Sequence, residues 1–319
     1  MCACFQSKSA TTIILFYFIL FSTKASAINK LERIDLEEKT LTQRLIEENV
    51  AISKWLLSKA EGIDLFLVDK QLQAGRNETN IKVENATYSI AGEGVTNQTS
   101  LSINPRLPNL EKYWNLKFTT YDEQQDDRGA NKSNLRQTPR EQNYGATVGL
   151  FRNFDKIRVA FQPRIELQDP LNVAHSLAFD TVANLKDFRI NPKLEFFANA
   201  KNGTGVFQAL NFNFILNNIF SLTFLNEGTY EEKLHRLSLT NGLALGQMIS
   251  PTNSLNYSFY MFSNNRDNYH LASYSLSTSW YHIIFKKILD FQLTPHLDFT
   301  NLRDFKGQAG ITMQFTLNF

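Results

Sequence analysis

The last eleven residues constrain the fold of this chain more than any other stretch. Ala309, Ile311, Met313, Phe315, Leu317 and Phe319 alternate with Gly310, Thr312, Gln314, Thr316 and Asn318. Side chains along a strand alternate between faces with period two, so this segment reads as a strand with one apolar and one polar face. A helix would scatter both sets around its circumference.

The pattern recurs upstream. Trp114, Leu116 and Phe118 oppose Asn115, Lys117 and Thr119. Leu210, Phe212 and Phe214 oppose Ala209, Asn211 and Asn213, and Leu289, Phe291 and Leu293 oppose Asp290, Gln292 and Thr294. From Trp114 to the end there are about twelve such strands. A more ambiguous hairpin at 81–106, with Tyr88, Ile90, Leu101 and Ile103 around Gly92 and Gly94, would raise the count to about fourteen. Either number is even, which leaves both termini at one end. Apolar faces in water forfeit burial, and charges in hydrocarbon cost several kcal/mol, so the Leu/Phe faces belong against lipid and the polar faces inside. The expected fold is all-β, an antiparallel transmembrane β-barrel preceded by a periplasmic helix.

The amino terminus fits export. Lys8 precedes an apolar run from Thr11 to Phe21, and Ala25-Ser26-Ala27 has the small-x-small pattern of a cleavage site. That run is too short for a usual spanning helix of ~20 residues. The expected organisation is a signal peptide at 1–27, an amphipathic helix and linker at 28–80, and the barrel at 81–319. Cys2 and Cys4 both precede the cleavage site, so the mature chain would carry no thiol. Within 30–60, Leu31, Ile34, Leu41, Leu45, Ile52 and Trp55 form one helical stripe, interrupted by Glu38 and Glu48. It would rest on its own barrel, bind a periplasmic partner or self-associate. Three Asn-x-Thr triplets, at Asn77, Asn85 and Asn97, read as chance matches to the glycosylation pattern.

With this signal and strand series, the chain resembles bacterial outer-membrane β-barrel proteins as a class. In them a terminal strand ending in Phe is read by the barrel-assembly machinery, and the resemblance implies that role for Phe315, Leu317 and Phe319. It implies an outer-membrane location with lipid as the surrounding partner, and nothing about cargo.

Chemistry is sparse. Net charge is +2 with 20% charged residues and no basic block, so nucleic acid is not an expected partner. His175, His235, His270, His282 and His296 show no zinc-binding spacing, and no nucleophile or phosphate-loop motif occurs. No metal, cofactor or enzymatic activity is expected, although His296 stands between Asp290 and Asp298 on the inward face. The inward charges are the candidate lumen lining: Lys117, Arg158, Arg164, Glu166, Arg189, Lys193, Glu195, Arg236, Asp290, His296 and Asp298. They either surround a wet passage or neutralise one another across a filled one. Tyr260 and Phe262 share their face.

The expected function is a passive pore for small hydrophilic solutes. The alternative is a structural or binding barrel of the envelope with an occluded lumen, and a membrane-embedded hydrolase ranks below both. The polar stretch from Asp122 to Asn143 cannot form a packed core and is expected to face the exterior. Gly242–Asn253 reads as a long connection on the periplasmic side.

Overall fold

The computed structural model describes residues 79–319 apart from 106–113, 127, 130–135, 169–170, 187, 201–202, 267 and 286–287, together with Glu47, Val50, Ala51, Lys54 and Trp55. The signal peptide lies outside the described residues. So does most of the expected 30–60 helix, of which those five residues are helical and exposed.

The strands are β1 (Asn80–Ile90), β2 (Gly94–Asn104), β3 (Trp114–Tyr121), β4 (Gln142–Phe154), β5 (Ile157–Glu166) and β6 (Asn172–Thr181). A two-residue β7 (Ala183–Asn184) precedes β8 (Phe188–Asn199), β9 (Gly203–Ile215), β10 (Phe220–Glu231) and β11 (Arg236–Ser250). The series ends with β12 (Asn253–Asn264), β13 (His270–Phe285), β14 (Leu289–Thr300) and β15 (Gly307–Asn318). Each strand pairs antiparallel with its neighbour in sequence, except that β7 lies outside the ring against β8 alone. Two pairings close the ring: β6 with β8, as at Leu177↔Phe196, and β1 with β15, as at Asn85↔Phe315. The barrel therefore has fourteen strands.

The count of twelve is corrected because the 81–106 hairpin supplies β1 and β2. Its alternation was hard to read because the outward positions Asn85, Thr87, Asn97 and Thr99 are polar where other strands carry Leu or Phe. A second correction concerns Gly242–Asn253. β11 continues to Ser250, and only Pro251 and Thr252 make the turn. The glycine at 242 makes room rather than a loop, since a Cβ there would stand 2.4 Å from the Tyr260 ring.

Outward side chains such as Leu276, Trp280, Ile311, Met313 and Phe315 are exposed, while inward neighbours such as Ser275, Ser277 and Thr312 are buried. This inverts a soluble protein and suits a barrel whose outer belt meets lipid. Both ends of the barrel chain lie at one rim. The connections there include the tight Asp155–Lys156 and Pro251–Thr252 turns. The opposite rim carries the longest connection between strands, 122–141.

Candidate functional site

The described residues of that connection, 122–126, 128–129 and 136–141, fold into the lumen, where the expectation was that the stretch faces the exterior. It lacks an apolar core, but the barrel interior is polar too, and charge pairing takes the place of apolar burial.

The inward course starts at Arg164 on β5, which is fully buried. Its Nη2 donates to the carbonyls of Tyr121 (2.9 Å) and Asn143 (2.7 Å), one on each stem of the loop. Its Nη1 donates to Thr119 Oγ1 and Thr147 Oγ1, at 2.8 and 3.3 Å. Gly145 leaves the guanidinium its space, since a Cβ would lie 2.7 Å from Arg164 Cζ. One cation thus ties the end of β3 to the start of β4 and turns the intervening chain inward.

A single helical turn, Glu123–Asp126, follows. Asp122 Oδ1 caps it by accepting from Gln125 N at 3.2 Å. Lys117 pairs with Glu123 at 2.5 Å. Burial raises the Asp122 carboxyl above its ordinary value. Asp126 behaves oppositely. Burial alone would raise it, but the hydrogen bond and charge of Arg136, with those of Arg140, outweigh this and hold it below the usual range.

The loop reaches two opposed sectors of the wall. On one side Arg140 joins Asp126 at 2.7 Å and pairs with the buried Glu84 of β1. Gln98 of β2 exchanges two hydrogen bonds with the Arg140 backbone, both at 2.6 Å. Thr312 of β15 donates to the Arg136 carbonyl at 2.8 Å, and Gln137 donates to Ser275 of β13 (3.0 Å) and to Asp298 of β14. On the other side Arg128 pairs with Glu195 of β8 at 2.8 Å and lies 3.7 Å over the Phe197 ring. The loop therefore crosses the lumen.

The sequence-derived candidates all occupy inward register positions, but they do not converge on one site. Lys117, Arg164, Glu195 and Asp298 touch the loop or its stems. Lys193 joins Glu195 at 3.0 Å, and Glu166 accepts from Asn172 and Asn199. Arg236 pairs with Glu231 at 2.5 Å, and Asp290 accepts from Asn318. Arg158, facing Asp180 at 3.9 Å, and the exposed Arg189 stand nearer the rim that holds the termini. Glu84, Asp126, Arg128, Arg136 and Arg140 escaped the reading of strand faces. A signal was present: Asp122, Glu123, Asp126 and Asp127 precede Arg128, Lys132, Arg136 and Arg140, an acidic half followed by a basic half.

His296 Nδ1 contacts Asp298 Oδ2 at 2.7 Å, and Ser275 donates to the same carboxylate at 2.7 Å. Serine and histidine thus both contact the acid. The His296 Nε2 is buried without a partner among the described residues. The relay in which histidine lies between serine and acid is not formed here. No group of three or more potential metal ligands occurs among the described residues.

Between the loop and the wall from β8 to β12 a cavity of about 390 Å³ remains, bordered by Asp122, Arg128, Phe197, Glu227, Glu231 and Arg236. Beside it Tyr260, fully buried, packs with Leu225, Ala244 and Phe262.

No family model and no curated protein matches the sequence. Solved structures do match the fold. A loop-deletion form of OmpT, an outer membrane protein of Vibrio cholerae, aligns with TM-score 0.50 at 7% identity, over 77% of this chain and 100% of that one. A bacterial polysaccharide outer membrane secretin gives 0.49 at 9% identity, over 77% and 100%. The outer membrane channel DcaP of Acinetobacter baumannii gives 0.46 at 7%, over 78% and 99%. The fold is that of outer-membrane β-barrel proteins.

Proposed function

We propose that this chain is an outer-membrane passive pore for small hydrophilic solutes, narrowed by its own loop 122–141, and that it is not an enzyme. The cavity between loop and wall carries this reading. The loop is fastened towards β1, β13, β14 and β15 and again at β8, which leaves the sector facing β9 to β12 unfilled. Polar and charged groups border that space, so water and small polar solutes suit it. The occluded envelope barrel is the second reading, supported by Tyr260 and Phe262 at its edge.

Planar bilayers containing the purified, folded protein test the proposal. The pore reading expects discrete conductance steps smaller than those of a protein lacking 123–140. Folded wild-type protein with no steps above a matched blank overturns it and favours the occluded barrel.

A further inference from the structure

Two of the Asn-x-Thr triplets acquire a role from the strand geometry. Spacing of two puts Asn85 and Thr87 on the same face of β1, and likewise Asn97 and Thr99 on β2. The register sets Asn85 opposite Thr99 and Thr87 opposite Asn97, and all four occupy outward positions. Asn85 Nδ2 donates to Asn97 Oδ1 at 3.0 Å and to Thr99 Oγ1 at 2.8 Å. Asn97 Nδ2 donates to Asn85 Oδ1 at 3.0 Å and to Thr87 Oγ1 at 2.8 Å. The result is an uncharged polar quartet on the outside of the barrel.

Its depth follows from the seam. Asn85 pairs with Phe315 and Thr87 with Met313, both outward and exposed. At ~3.3 Å per residue and a tilt of ~45°, these rungs lie roughly 9 and 14 Å above Phe319, within an apolar belt ~25 Å tall. Val83, Val95 and Leu101 surround the quartet on the same face. Elsewhere on the belt Thr278 stands alone between Leu276 and Trp280.

Donor accounting identifies what covers it. Each carboxamide nitrogen uses both protons inside the quartet. The hydroxyl protons of Thr87 and Thr99 have no acceptor among the described residues, and each carboxamide oxygen accepts one bond while having room for two. Lipid tails offer nothing to either. An identical patch offers two acceptors to these two donors, and two donors in return. Polar groups of this kind join transmembrane elements, and a face that complements itself generates a two-fold contact. We propose that the quartet is the face through which two copies of this chain meet in the bilayer, patch to patch.

The test uses the full chain in the membrane and in mild detergent. Thr99→Cys should give a 99-to-99 crosslinked dimer on oxidation, and Thr278→Cys should give none. The combined variant N85L/T87V/N97L/T99V, which stays compatible with lipid, should still show a heat-modifiable folded band but run as a monomer by light scattering. Three results overturn the proposal: a monomeric wild type, a wild type whose face holds co-purifying lipopolysaccharide instead of a second copy, or a combined variant that dimerises as well as wild type.

Discussion

Arg164 has the most leverage of any single side chain. It is fully buried, and its acceptors among the described residues are hydroxyls, backbone carbonyls and a side-chain amide oxygen rather than a carboxylate. Changing it to Met removes the buried charge but orphans the carbonyls of Tyr121 and Asn143, at about 1–3 kcal/mol each. The loop stems should loosen while the barrel ladder stays paired. Arg164→Met is therefore expected to lower thermal stability modestly and raise conductance and its fluctuations. Gly145→Ala should do the same by pressing on the guanidinium, and unchanged conductance in both would show that Arg164 does not steer the loop. Acid should act through two neighbouring carboxyls with opposite signs. The depressed Asp126 contributes to loop fastening above the unfolded carboxyl value near ~4 and loses that contribution as pH falls through its lower folded value. The raised Asp122 favours the folded loop when protonated and loses that contribution as pH rises through its higher value. Conductance should thus fall slightly on acidification from neutrality and rise only below pH ~4. Asp126→Asn should open the loop at neutral pH, which a pH series of bilayer recordings checks.

At the scale of elements, the seam between β1 and β15 decides whether the barrel closes. Its last rung is Phe319, whose N–H donates to the Ile81 carbonyl at 2.9 Å and whose carbonyl accepts from Ile81 N at 3.2 Å. Deleting Phe319 removes both bonds together with the terminal ring, whereas Phe319→Ala keeps the rung and removes only the ring. If the ring is an assembly signal, both changes should reduce membrane-integrated protein at matched synthesis, and the alanine variant that does insert should melt close to wild type. Normal integration of Phe319→Ala would confine its role to the rung. Most of the ring was legible in the sequence because outward Leu and Phe alternate cleanly from β3 onward. β1 and β2 were not, since their outward Asn and Thr remove the apolar half of the pattern. β11 looked like a loop because Gly242 and Gly246 leave space for Tyr260 and Ser221 respectively. The inward charges followed from strand parity, but parity gives a face and not a partner. The loop carboxylates and arginines had no parity to be read by, so the crossing from Glu84 to Glu195 needed three dimensions.

For the whole molecule, the loop converts a wide polar barrel into a divided one. Its fastenings sit on both sides of the lumen, through Arg140 to Glu84 and Arg128 to Glu195, and side-chain exposure at these four groups is 12% or less. Exposed ion pairs contribute ~0–1 kcal/mol, but breaking a buried one strands a charge and costs ~3–5 kcal/mol. A loop so fastened should stay folded inward at neutral pH. In intact cells, a protease specific for arginine should then leave Arg136 and Arg140 uncut, although they lie in the longest inter-strand connection. Glu84→Gln leaves the Arg128–Glu195 pair and the hydrogen bonds from Gln98 and Thr312 in place, so it should protect nearly as well as wild type, whereas Glu84→Gln combined with Glu195→Gln removes the ion pairs to the wall on both sides at once. The double variant is expected to become cleavable within 136–140 and to conduct several-fold more, approaching the protein that lacks 123–140. Rapid cleavage of the wild type in intact cells would mean that the loop spends its time outside, and the divided lumen would fall with it.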